Sequence, residues 1–439
     1  MKKIVLIVLV LSLSMALMLS ACTPAETPAT PDAPAPDAPA ADDAQQATED
    51  PPAAADGEQV VLTMGSWRAD DVAEMNAFLA EYTERIAPNV TIVFQPTNPP
   101  DYNATLRMQL ESDIGPDLMY ARSFATGLDL FEAGFFADIT DLPGLQENFL
   151  ESNRAAWTSP AGEIYAVPFI AVSQIAFYNK DIFEEHGLAV PTTWDEFIAV
   201  CQALLDNGVT PLANGVADEW DILETFFLGM LPSWVGGPDQ RARYEAGELA
   251  LNDENFVAAY TAISQITPFL PVGFEAVTYN DSQILFSSGQ AAMHFDGSWN
   301  LSVHEDVPFN WGSFAIPGPT AAETRICFHV DAGIAMNANS EHPAEARAFL
   351  EWLASQDGQE TAARFLPTGF FSLSNFPITL ENPWANEAFG LNTGRETDVR
   401  FIWPHFIDLY TAMNHAVIDV IRGNITPQEA ADSVAALAG

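Results

Sequence analysis

The sequence predicts an α/β protein of about two domains built on parallel sheets, with a strand able to cross between them. Three features predict it. Strands and helices alternate from Val60 to Gly134, the second half repeats that grammar with longer loops, and an apolar run from Val167 to Tyr178, long enough to pass between domains, lies between them. With 439 residues, 48% of them hydrophobic, the chain has material for about two cores.

In chain order, Val60 to Met64 reads as a strand that leads through Gly65, Ser66 and Trp67 into an amphipathic helix. Its apolar face carries Val72, Met75, Phe78, Leu79, Tyr82 and Ile86. Val90 to Phe94 is the next strand, Tyr102 to Glu111 a helix, and Gly115 to Tyr120 a third strand. A helix with Leu128, Leu130 and Phe131 then stops at Gly134. Such alternation implies a parallel sheet covered on both faces, which binds ligands beyond the carboxyl ends of its strands.

After the long apolar run, Asp181 to Gly187 reads as a short helix closed by a glycine able to take the left-handed conformation. Pro191 to Glu196 opens a second helix. Thr193 caps its free amides, Glu196 reaches back, and Phe197, Val200, Cys201, Leu204 and Leu205 form the buried stripe up to Asn207 and Gly208.

Charge narrows the partners. Sixteen basic against 60 acidic residues give a formal charge of −44, a field that repels nucleic acid and anionic lipid and favours neutral or cationic ligands. The first 22 residues read as a sorting signal: Lys2 and Lys3, the apolar Ile4 to Leu19, then Leu19-Ser20-Ala21-Cys22, a lipobox-like ending that would lipidate Cys22. An uncleaved membrane anchor is the alternative. Residues 23–58 form a Pro/Ala/Asp linker with nine acids and no base, unable to bury a core. As a flexible chain it would reach on the order of 30 Å. Cys201 and Cys327 lack metal spacing and read as buried thiols, with a disulfide left open.

Several segments then point the same way. YNKDIFEEHGLAVPTTWDEF (178–197), GVTPLA (208–213), SSGQAAMHFDGSW (287–299), WGSFAIPGP (311–319) and DAGIAM (331–336) resemble, in that order, the family 1 extracellular solute-binding proteins of ABC importers. The nearest look is to the multiple-sugar and raffinose-type oligosaccharide binders. The resemblance implies a type II periplasmic-binding-protein fold, two parallel-sheet lobes joined by two or three hinge crossings, with discontinuous lobes 58–177 plus 315–356 and 178–314 plus 357–439 that close by hinge motion over a sugar. It further implies a monomer that hands its ligand to permease subunits with their ATPase, no cofactor or metal, and capture without chemistry.

A sugar site needs flat aromatics for the C–H faces and planar polar groups for the hydroxyl rim. Candidates lie where glycines and turns suggest strand-end loops: Trp67, Arg122, Phe124, Trp220, Asp296, Trp299 and Asp331, with Phe328 and His329 beside the last. For Trp67 and Trp220 the alternative is core packing, for Arg122 a surface ion pair, and for Asp296 the capping of its own turn. Trp234, Trp352 and Trp384 are assigned to packing or rims, with Trp403 the exception kept for the site, and Phe169 is a lesser candidate.

Enzyme motifs are missing: no G-x-S-x-G, H-E-x-x-H, P-loop or G-x-G-x-x-G occurs. Among so many acids a pair at a glycosidase separation arises by chance, so their abundance is no evidence for hydrolysis; a secreted lipoprotein glycoside hydrolase and a surface glycan adhesin are the competing readings.

Overall fold

The computed structural model describes residues 58–400 and 407–438. The sorting signal with Cys22, nearly all of the linker and Trp403 lie outside the described residues. No helix among the described residues is long and apolar enough to cross a membrane.

The strands are β1 (Val60–Ser66), β2 (Val90–Pro96), β3 (Leu118–Arg122), β4 (Val167–Asn179), β5 (Thr210–Leu212), β6 (Ala291–Gly297), β7 (Trp311–Phe314), β8 (Ile326–Met336), β9 (Phe371–Ser372) and β10 (Thr397–Asp398). The helices that frame the site are α1 (Val72–Arg85), α2 (Pro99–Glu111), α3 (Ala125–Glu132), α4 (Lys180–Glu185), α5 (Trp194–Asp206), α6 (Tyr279–Ser287), α7 (Pro343–Leu353), α8 (Gln356–Phe365) and α9 (Ile407–Ile421).

One hydrogen-bonded path runs β2-β1-β3-β8-β4-β6-β5. Its outer parts are parallel, β1 with β2 and β3 and β5 with β6, as the strand–helix alternation predicts. Its middle is antiparallel, because β8 runs against both β3 and β4. β4 explains the continuity: Val167 to Ser173 pair with β8, and Gln174 to Tyr178 pair with β6. Its side chains are buried along nearly the whole length, as an apolar run without alternation requires.

Two clusters of buried side chains flank this strand. The first gathers Leu62, Phe78, Tyr82, Leu118, Phe169, Ile334, Phe349 and Trp352, and the second Phe197, Leu204, Phe226, Phe295, Phe314 and Val417. Val172, Ile175 and Phe177 belong to the first and Ala176 to the second, so the part of β4 that pairs with β6 contributes side chains to both.

The local signals around β4 act as expected. Thr193 and Glu196 close a reciprocal capping box on α5, and Asn179 caps α4 by accepting from the Ile182 amide at 3.0 Å. Gly187 and Gly208 take the left-handed conformation at φ +64° and +76°. Cys201 and Cys327 are both buried and free.

Three expectations shift. Phe328, His329 and Asp331 lie within β8, not before it, because pairing with β10 starts the strand at Ile326. Val72, Ile86 and Leu205 sit at the exposed edge of their helical faces. Residues after 357 do not pass directly to the second core. Helix α8 packs back on α1, with Arg85 Nη2 and Asp357 Oδ1 at 2.6 Å, and the first cluster keeps Phe370, Phe371 and Leu373.

Candidate functional site

A cavity of about 810 Å³, within the range of small-molecule sites, is lined by Trp67, Leu130, Trp299 and Phe370 of the first cluster and by Tyr410, which packs against the second. One wall is built from the carboxyl end of β1 (Trp67, Arg68), from α2, and from the end of β3 (Arg122, Ser123). The opposite wall brings Asp218, Trp220, Glu224, Tyr279 and Trp299. His329 and Asp331 of β8, together with Arg400, lie at the base. Placement beyond parallel strand ends matches the topological expectation.

On the first wall Trp67 is only 4% exposed. Its ring meets Tyr102 and Tyr120 edge-on at 5.5 and 5.3 Å, and the Arg122 guanidinium lies 3.7 Å over its centroid. Arg68, next in sequence, forks onto Asp71 through Nε (2.5 Å) and Nη2 (2.8 Å), and stands 5.0 Å over the Phe370 ring. Arg122 has no such carboxylate among the described residues. Its Nε is buried without a hydrogen-bond partner among the described residues.

The second wall is organised around Tyr279, the first residue of α6, whose start is fixed by a Thr278–Asp281 capping box. The Tyr279 amide donates to Asp218 at 2.8 Å. Its hydroxyl accepts from Trp299 Nε1 at 2.7 Å and from Asn300 Nδ2 at 3.0 Å. Trp220 leans on the Tyr279 ring at 4.5 Å and is half-buried. Trp299 lies back over Gly297, where an added Cβ would stand 1.9 Å from the indole, so the glycine is required by the ring's close approach. Ser298 ties the turn down, accepting from the Ser173 amide at 3.0 Å and donating to the Gly369 carbonyl at 2.6 Å.

Behind this wall Asp296 is fully buried. It accepts from the Gly297 amide at 2.7 Å, from Asn300, and from the Tyr279 hydroxyl at 3.4 Å. Burial pushes its carboxyl up to about 7 despite those bonds, and burial likewise raises the neighbouring Asp221 well above its ordinary range. Also buried here are His294 and His304, whose four ring nitrogens have no hydrogen-bond partner among the described residues. Desolvation holds both below their ordinary range, His304 at about 3.

Arg400 closes the base. Its Nη1 reaches Glu224 Oε2 at 2.5 Å and its Nη2 reaches Asp331 Oδ1 at 3.2 Å, with the guanidinium 5.6 Å over the Trp299 ring. Tyr410 also donates to Glu224. The His329 Nδ1 accepts from the Arg400 amide at 3.4 Å, which leaves Nε2–H to donate to Ser123 Oγ at 3.1 Å. Burial, then Arg400 and Arg122, keep that imidazole neutral.

The structure thus brings together Trp67, Arg122, Trp220, Trp299 and Asp331 on one cavity. It places Asp296 behind the wall, as the acceptor that anchors Tyr279 and Asn300. Phe124, at φ +57° before α3, packs on the His329 ring at 6.0 Å and does not line the cavity. Phe169 is a core residue, 5.8 Å from Tyr120. Arg68, Glu224, Tyr279 and Arg400 line the cavity without having been singled out in the sequence. Arg68 adjoins Trp67 and the T-x-x-D capping pattern precedes Tyr279, but Glu224 and Arg400 carry no local signal. No group of three side chains able to hold a metal ion comes together among the described residues.

Comparison with known proteins gives this geometry a context. The family described as Bacterial extracellular solute-binding protein matches residues 65–360. A "Multiple sugar-binding protein" of Streptococcus mutans is 25% identical over 296 residues, 64% of this chain and 69% of its own length. A "Maltotriose-binding protein" of Pyrococcus abyssi is 26% identical over 257 residues, covering 57% of this chain and 52% of that protein. Among solved structures, one from a study of xylan utilization by Caldanaerobius polysaccharolyticus superposes with a TM-score of 0.75 at 18% identity, covering 86% of this chain and 99% of that one. At that identity the likeness speaks for the fold.

Proposed function

The chain belongs to the bacterial extracellular solute-binding protein family, and from that premise we propose that it captures a carbohydrate in the cavity described above and delivers it to the permease of an ABC importer. One observation carries the reading: three tryptophans and a set of planar polar groups, Arg68, Arg122, Asp218, Glu224 and Asp331, converge on a single cavity. Rings supply contact area for C–H faces, and guanidinium and carboxylate groups supply in-plane donors and acceptors for hydroxyls. The names of the relatives, binders of multiple sugars and of maltotriose, favour the same class.

In this reading the two cores are lobes that hinge about β4 and the return segments. Ligand contacts both walls and so favours the closed form. A lipid on Cys22 would hold the monomer to the cell membrane through the acidic linker, which partitioning of the mature protein into a detergent phase would test. The compact −44 chain is no partner for nucleic acid.

A thermal-shift screen against a glycan panel tests the proposal. Ligand at 100 times its Kd stabilises by about 2.7 kcal/mol, and the recovered glycan should be chemically unchanged. No stabilisation by any carbohydrate would reject capture, and shortened glycans would favour the hydrolase.

A further inference from the structure

The cavity's charges are matched, with one exception. Arg68 forks onto Asp71, Arg107 reaches Asp129, and Arg400 bridges Glu224 and Asp331. Of the other acids on the cavity, Asp218 takes the Tyr279 amide and Asp70 is exposed. Among the described residues, Arg122 is left with a ring on one face, a buried Nε without an acceptor, and no carboxylate. This is notable in a chain with 60 acids against 16 bases, where a carboxylate partner is easily supplied and every other arginine on the cavity has one.

We propose that the ligand itself supplies the missing carboxylate: the cavity takes an acidic saccharide, one bearing a uronic-acid group that Arg122 engages. The inference rests on the carbohydrate reading and narrows it. A sugar hydroxyl would satisfy a donor but leave the guanidinium charge uncompensated once the cavity closes. A carboxylate accepts from two N–H groups in one plane, and such charge-assisted pairs are roughly twice as strong as neutral ones. Trp67 holds that plane, since its ring sets the guanidinium 3.7 Å away.

The net charge of −44 opposes an anion only at long range. Surface charges are screened over about 8 to 10 Å at ordinary ionic strength, whereas a contact pair shielded from water is screened far less. Arg122 therefore dominates the local balance, and the global field acts mainly on the rate of approach.

Calorimetric titration of the full chain with matched probes tests the inference. One pair is a trigalacturonate and the neutral galactose trisaccharide, the other a glucuronate-bearing xylooligosaccharide and its unsubstituted backbone. The acidic member of at least one pair is expected to bind tenfold or more tightly than its neutral twin. Arg122→Gln should weaken the acidic ligand by roughly ten- to 150-fold and its neutral twin by a smaller factor, so that the preference within the pair collapses, while Arg122→Lys keeps part of it. Unligated melting of both variants, close to the parent, separates lost recognition from lost folding. Binding of neutral sugars alone, or equal binding within the pairs, would overturn the acidic ligand and leave carbohydrate capture standing. Binding of no carbohydrate at all would overturn both.

Discussion

Trp67 and Trp299 face the same cavity, each with an arginine over its ring, yet the two walls hold them by different means. Both belong to the first cluster, but Trp67 is wedged between the rings of Tyr102 and Tyr120. Trp299 is pinned by one hydrogen bond to Tyr279 and a bare glycine beneath it, in front of a buried network of Asp296, Asn300 and Tyr279. Apart from Arg122, the arginines of the first wall and the base are neutralised by ion pairs. Behind the second wall, ionisable groups are buried with their charge suppressed. A tryptophan on a cavity can therefore be held as core or as part of a polar assembly, and the two should respond to different perturbations.

The largest expected effect is on the first wall. Trp67→Ala removes a ring that is almost wholly buried, at a cost of about 3 to 5 kcal/mol in stability. Denaturant unfolding would measure it, and a loss under 1 kcal/mol would mean that Trp67 is a ligand surface and not a strut.

Acid should act on the second wall. His304 takes no proton in the fold until about pH 3, whereas in the unfolded chain it protonates near its ordinary 6.5. The unfolded state then binds more protons as pH falls through that window, so stability present above pH 6.5 is lost on acidification, by about 2 to 3 kcal/mol from pH 7.5 to 4.5 for this residue. Asp296, pushed up to about 7, has the opposite slope: its contribution favours the fold at low pH and declines as pH rises. That term is common to both proteins, so His304→Leu should raise the melting temperature at pH 4.5 relative to the parent more than at pH 7.5. The pocket of Phe177, Phe286 and Trp311 is apolar enough to accept leucine. Equal shifts at the two pH values would remove the suppressed charge from the account.

The contrast also explains what could be read from the chain. The parallel ladders around β1, the long crossing strand, the capping box on α5 and the left-handed glycines are local patterns, legible because each is set by neighbours in sequence. Trp67, Arg122 and Trp299 were legible because they follow strand ends or glycine turns. The place of Asp296 was not, since aspartate before glycine reads equally as a rim group or a cap, and only the register of β6 on β4 sets it behind the wall. Arg400 and Glu224 were invisible because they meet across 176 residues of sequence. The packing of α8 on α1 is marked by the Arg85–Asp357 contact between residues far apart in sequence, which pattern reading does not reach.

The central claim is that a carbohydrate ring lies in this cavity, and Trp220 tests it most directly. Half-buried against Tyr279, its ring is more open to a ligand than Trp67 or Trp299, and it is least needed by either core. Titrating Trp220→Ala with the tightest glycan of the panel should show binding weakened by roughly five- to 30-fold, from about 1 to 2 kcal/mol of lost apolar contact, with unligated melting within a few degrees of the parent. Unchanged affinity in a protein that melts normally would contradict the claim and place the carbohydrate elsewhere.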